Sequence, residues 1–254
     1  MALNLRERFG RKGPASQLLL ADDFQFSTAA YPSLREFQVA HDDVGVLETP
    51  LAIDRRYFLT HGSDSLQLEL ALCLAGVAAA VDLLFERASA FQREPAEDAI
   101  VDLATANSIG EVGLAWPWGK GERNGVAGFV RHNVLVFLQG RYETLLEHGK
   151  ALDAALARAA TTKEYSDSSV VLLAISGEGA LTVKPGGRVD LGLPTSSDAR
   201  HFFLATGGSV NRDANEPIRY YYRAGLEKGT YVITALRVGA GLLPARQTIR
   251  VTIS

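Results

Sequence analysis

The sequence predicts an α+β domain, an antiparallel sheet with helices on one face, followed by an all-β sandwich. Three observations predict it. Residues 66–73 alternate strictly, Leu66, Leu68, Leu70 and Leu72 against Gln67, Glu69, Ala71 and Cys73. That period of two belongs to a strand with one wet face. At Tyr142 the rhythm changes, and Leu145, Leu146, Gly149, Leu152, Leu156 and Ala159 recur at helical spacing. Beyond residue 170 no helical period appears, only short apolar runs between turn residues.

Taken in order, residues 1–30 read as an arm, because Gly10 and Gly13-Pro14 break any helix begun at Leu3. Residues 31–160 form the α+β domain. Phe37 and Val39 alternate with polar neighbours in a first strand, His41-Asp42-Asp43 turns the chain, and residues 44–47 return it. Residues 57–59 give another short strand. After the strand at 66–73, Val77, Val81, Leu84, Phe85, Ala88 and Phe91 follow a helical period, which Pro95 helps to end. Residues 112–118, 126–130 and 134–138 are three further strands. Gly119-Lys120-Gly121 with Asn124-Gly125, and Arg131-His132-Asn133, supply the turns between them. Residues 134–138 are apolar on both faces, which predicts a central strand covered on both sides. In the helix that follows, Glu143, Glu147, Lys150 and Asp153 are assigned to the wet surface, as is His148.

Residues 161–169 are polar and carry no period, so they read as a linker. Residues 170–254 form the β-sandwich, with strands expected at 170–175, 181–183, 189–193, 201–205, 218–222, 229–238 and 248–253.

Three stretches of this last third carry a resemblance: Lys184-Pro185-Gly186-Gly187-Arg188-Val189, Gly229-Thr230-Tyr231-Val232-Ile233 and Ile249-Arg250-Val251-Thr252-Ile253. They resemble bacterial immunoglobulin-like domains, and Tyr231 after its Gly-Thr turn resembles that family's tyrosine corner. The cysteine pair and core tryptophan of antibody domains are absent. The resemblance implies an immunoglobulin-like β-sandwich in a bacterial protein working outside the cytoplasm. It implies no activity, since architecture does not carry function.

Composition narrows the classes. A chain of 254 residues, 47% of them hydrophobic, can bury a sizeable core. A net charge of −3 leaves no global footprint for nucleic acid. One cysteine, Cys73, allows no intrachain disulfide, and its place in a strand predicts an inert core thiol. The basic residues Arg6, Arg8, Arg11 and Lys12 are followed by only a short apolar run, so no signal peptide is expected in the sequence as it stands. The most apolar long window, residues 71–85, falls short of the roughly 20 residues of a membrane span.

Motifs that carry chemistry are sparse. No histidine stands at metal-ligand spacing, no Gly-x-Ser-x-Gly elbow exists, and Gly119-Lys120-Gly121 leads into a strand instead of a phosphate-binding helix. His41 beside Asp42 and Asp43 is the local histidine–carboxylate cluster. It could serve acid–base work or a metal, but loop chemistry is the favoured explanation. Asn211, Asp213, Asn215 and Glu216 offer oxygen ligands at loop spacing, the pattern Ca²⁺ takes in many modules. A solvated loop is the alternative, and no other cofactor is expected. Trp116 and Trp118, and Tyr221 between Arg219 and Arg223, are the aromatic clusters for ligand contact, with core packing the competing role.

The function expected from these features is non-catalytic binding by a two-domain protein, with a protein or carbohydrate partner. The alternative is an enzyme whose site lies at the domain junction near His41, Asp42, Asp43 and Trp116.

Overall fold

A computed structural model describes residues 28–48, 50–74, 76–90, 99–118, 123–158, 180–192, 200–214, 219–239 and 242–254. The chain divides into two compact units, whose described parts are residues 28–158 and 180–254.

Leucine alternation builds β3 (Asp64–Cys73) of a seven-stranded antiparallel sheet. Its other strands are β1 (Gln38–Glu48), β2 (Leu51–His61), β4 (Val101–Asp102), β5 (Val112–Trp118), β6 (Asn124–Arg131) and β7 (Val134–Arg141). The spatial order is β1-β2-β3-β7-β6-β5-β4, so two three-strand meanders meet where β3 pairs with β7. Strand β7 stands in the middle of the sheet with both faces dry, as its double-sided apolar pattern requires. Each meander leads into a helix: α1 (Val77–Ala90) follows β3 and α3 (Tyr142–Arg158) follows β7. A single turn, α2 (Leu103–Ala106), follows β4, and Asp102 caps it by accepting from the Thr105 N–H at 3.1 Å.

The two long helices lie on opposite faces of the sheet. On the first face, Leu83, Leu84 and Phe85 of α1 share one core with Ala71, Cys73, Val126, Leu135 and Phe137. Gly128 makes the close approach possible: a Cβ there would meet Leu84 Cδ1 and Phe137 Cδ2, each at 2.7 Å. Phe129, the next residue along β6, points the other way, and Gly149 of α3 packs over its ring. Leu145, Leu152 and Leu156 of α3 are fully buried on that side. Burying a leucine side chain contributes roughly 1.5–3 kcal/mol, so each stripe is enough to hold its helix down.

In the second unit β8 (Ala180–Val183), β10 (Arg200–Ala205), β13 (Gly229–Gly239) and β14 (Leu242–Ile253) form a four-stranded sheet in the order β10-β13-β14-β8. The β14–β8 pair is parallel. Strands β9 (Arg188–Leu191), β11 (Gly208–Arg212) and β12 (Tyr220–Ala224) form a three-stranded sheet in the order β11-β12-β9. Leu191, Tyr222 and Ala224 from the smaller sheet join Ile233, Ile249, Val251 and Ile253 from the larger in one core. The Tyr222 hydroxyl donates to the Gly207 carbonyl at 3.1 Å, and that of Tyr231 to the Glu227 carbonyl at 3.2 Å.

These findings correct the expected fold. Strand is the dominant structure, the described helices number three, and the long ones cover both faces of the sheet, not one. An α+β domain followed by a separate immunoglobulin-like sandwich therefore does not describe the chain. His41-Asp42-Asp43 does not turn the chain; it lies inside β1, next to an irregularity between Val39 and His41. The strand expected at 170–175 and the linker at 161–169 lie outside the described residues, as do residues 1–27 of the arm expected at 1–30, whose last three, Thr28–Ala30, form a 3₁₀ turn. No described helix is long and apolar enough to cross a membrane.

Candidate ligand groove

Strand registration decides which polar side chains share a surface. Gln67 of β3 lies opposite Gln139 of β7, Gln139 opposite Val126, and Val126 opposite Trp116 of β5. One step further toward the same end, Asn124 pairs with both Arg141 and Trp118. All lie on the face that α1 covers farther along, at the end where β2 turns into β3 and β7 passes into α3. There the side chains bound a groove of about 640 Å³. Gln67, Gln139 and Asn124 supply amides, Arg123 and Arg141 guanidiniums, and Trp118 an indole. Asp64 and Glu143 hold Arg141 at 3.6 and 3.4 Å. A second hollow of about 290 Å³ continues past Gln67 and Gln139 to Phe58, Glu69 and His41.

The structure separates the two tryptophans. Trp116 is 3% exposed and belongs to the core under α1. Trp118, two residues along the same face, is half-buried at the rim of the groove, and its Nε1 has no hydrogen-bond partner among the described residues. Trp118 thus lines the groove while packing against the core under α1, and Trp116 does not line it.

The acid–base cluster is not assembled. His41, Asp42 and Asp43 are exposed on β1, an edge strand, and Asp42 faces the opposite side from its neighbours. Trp116 lies five strands away, about 24 Å at the usual strand spacing. Charged side chains beside an irregularity are how sheet edges avoid pairing with other chains. That role explains this cluster without catalysis.

The second unit's aromatic patch is already occupied from within. The Arg188 guanidinium lies 4.0 Å from the centre of the Tyr221 ring. It donates to Asp190 and to Asp213, each at 3.1 Å, and Arg219 donates to Asp190 at 3.0 Å. The hydrogen bonds from Arg188 and Arg219 hold Asp190 below the usual carboxylate range. Arg223 shares this exposed face. Asp213 serves this lattice, and Asn211 donates its amide to Ser209 at 2.9 Å. The remaining candidate Ca²⁺ ligands, Asn215 and Glu216, lie outside the described residues. Among the described residues no group of three or more His, Cys, Asp or Glu side chains could hold a metal ion.

Several buried ionisable groups were not legible in the sequence. Asp54 of β2 is 4% exposed, with Arg56 at 2.8 Å. Burial, aided by the charge of Glu69, pushes it up to about 6. Asp153 of α3, expected on the wet side, is buried and takes two hydrogen bonds from Arg131, at 2.6 and 2.7 Å. His148, expected on the wet side too, is 3% exposed and packs its ring edge-on to Phe37. Cys73 is buried, and burial pushes its thiol up to about 12, which suits an inert core role.

Comparison with known proteins adds little to this geometry. No family model matches the chain, and no curated protein matches it. Among solved structures, a candidate alpha-galactosidase from Bacteroides fragilis NCTC 9343 matches at TM-score 0.24 and 15% identity. That match covers 34% of this chain and 19% of the other. A nucleoside hydrolase-related hypothetical protein from Saccharophagus degradans, associated with carbohydrate metabolism, matches at TM-score 0.24 and 13% identity, over 43% of this chain and 33% of its own. Likeness this slight carries no argument about activity or fold, and neither neighbour supports the immunoglobulin-like resemblance.

Proposed function

We propose that the protein is a non-catalytic binding protein whose first unit takes a carbohydrate in the groove at the end of the seven-stranded sheet. One observation supports the reading: the groove combines the Trp118 indole with amides, guanidiniums and carboxylates from four strands and the start of α3. A sugar presents vicinal hydroxyls, each both donor and acceptor, and one flatter apolar ring face. Amides, guanidiniums and carboxylates match the hydroxyls, and an indole matches the ring face. The continuation toward Phe58 gives room for more than one sugar residue.

The test uses the chain's own fluorescence. Only two tryptophans are present, and Trp116 is sealed in the core. Titration of the whole protein with linear neutral oligosaccharides is expected to change the emission of Trp118 saturably. Trp118→Ala is expected to weaken binding, read by calorimetry, at least tenfold.

A further inference from the structure

A separate cavity of about 450 Å³ lies on the other side of the β2–β3 turn, between the 3₁₀ turn Pro32–Leu34 and the start of α3. Two buried polar atoms in its lining, Ser33 Oγ and His148 Nδ1, have no hydrogen-bond partner among the described residues. An unsatisfied buried polar atom costs about 1–3 kcal/mol, so two around one cavity call for something to satisfy them. Phe37 forms part of the wall, its ring 5.6 Å from that of His61 and 5.7 Å from that of His148.

Charge decides what that something is. Three carboxylates line the cavity, Glu36, Asp64 and Glu147. Two arginines line it as well: Arg35, which is exposed, and Arg141, which is already held by Asp64 at 3.6 Å and Glu143 at 3.4 Å. His61 sits 3.5 Å from Glu36. Burial holds His148 below the ordinary imidazole value, so the ring is neutral and offers a nitrogen acceptor. Carboxylates outnumber arginines in the lining three to two, which favours a cation, and an ammonium group has Glu147, the Ser33 hydroxyl and the His148 ring among the acceptors there. A metal ion lacks the required cluster among the described residues.

We infer that this cavity is a binding site for a small organic amine, held by Glu147, Ser33 and His148 beside Phe37. Asp64, Ser65 and Arg141 border both hollows, but Trp118 lines only the groove and Ser33, Glu147 and His148 line only this cavity, so the two readings are tested apart.

The test follows the His148 ring resonances of the full chain at pH 7.5 while n-butylamine, n-butanol or n-butyrate is added. These three differ in charge at nearly constant size. A saturable shift with butylamine alone is expected, weakened at least fivefold in Glu147→Gln and also in Ser33→Ala, and unchanged in Trp118→Ala. Glu147 is exposed on the surface of α3, so its amide variant is expected to keep the parent melting curve. No saturable shift with the amine, equal binding of butyrate, or undiminished amine binding in both Glu147→Gln and Ser33→Ala would overturn the inference.

Discussion

Asp54 gives the molecule a pH dependence that can be worked out in sign. Its folded value of about 6 lies above the ordinary 3.8. The folded state therefore binds the proton more tightly than the unfolded chain. The stability from this group is fully present below pH 4 and is lost as pH rises through 6. Asp54→Asn removes the buried charge, so it is expected to raise stability at pH 8 by on the order of 2 kcal/mol and to flatten the loss between pH 4 and 6. Urea unfolding at pH 4, 6 and 8 checks this, and a variant less stable than the parent at pH 8 would refute it. Gly128 makes the second prediction at this scale. A methyl there overlaps Leu84 and Phe137, so Gly128→Ala is expected to cost roughly 1–3 kcal/mol, measured by the same unfolding. His148 shows what sequence could and could not reveal. It stands three residues after Leu145 and four before Leu152, on the buried stripe of α3. The spacing was legible, but a polar residue type pointed to the wet side. Asp153 is hidden for the same reason, since only its partner Arg131, twenty-two residues earlier, makes its burial affordable.

Helices and strands were legible where one face is uniformly apolar. The leucines of β3, the two-sided run of β7 and the stripe of α3 each specify their element locally. The face of the sheet each helix chooses was not legible. An apolar stripe says that a helix needs a sheet, not which side it takes. Here Gly128 opens one face for α1, and Phe129 meets α3 on the other. The groove was half visible: Trp118 stood out as a candidate, whereas Gln67, Gln139 and Arg141 are brought beside it only by registration. Arg131 ties the end of β6 to α3 through Asp153. Arg131→Gln leaves that carboxylate buried with a weaker partner and is expected to cost about 2 kcal/mol. The value is at the low side for a broken buried pair because Arg131 keeps some contact with water. Replacing both, as Arg131→Met with Asp153→Leu, is expected to recover most of the loss in a thermal melt.

Across the whole molecule, the core under α1 draws only on the first unit and the core around Tyr222 only on the second. Large-to-small changes in one core are therefore expected to leave the other intact. Leu84→Ala should lower one calorimetric transition and Ile233→Ala a different one, each by the roughly 2–5 kcal/mol of a buried aliphatic truncation. A single transition moved by both would contradict separate cores.

Binding at the groove is read most directly by tryptophan emission, with neutral oligosaccharides titrated into the parent protein and into Trp118→Ala. The account predicts a saturable change in the parent and at least tenfold weaker binding, by calorimetry, in the variant. An unchanged affinity in Trp118→Ala, or no response of the parent to any oligosaccharide, would contradict it.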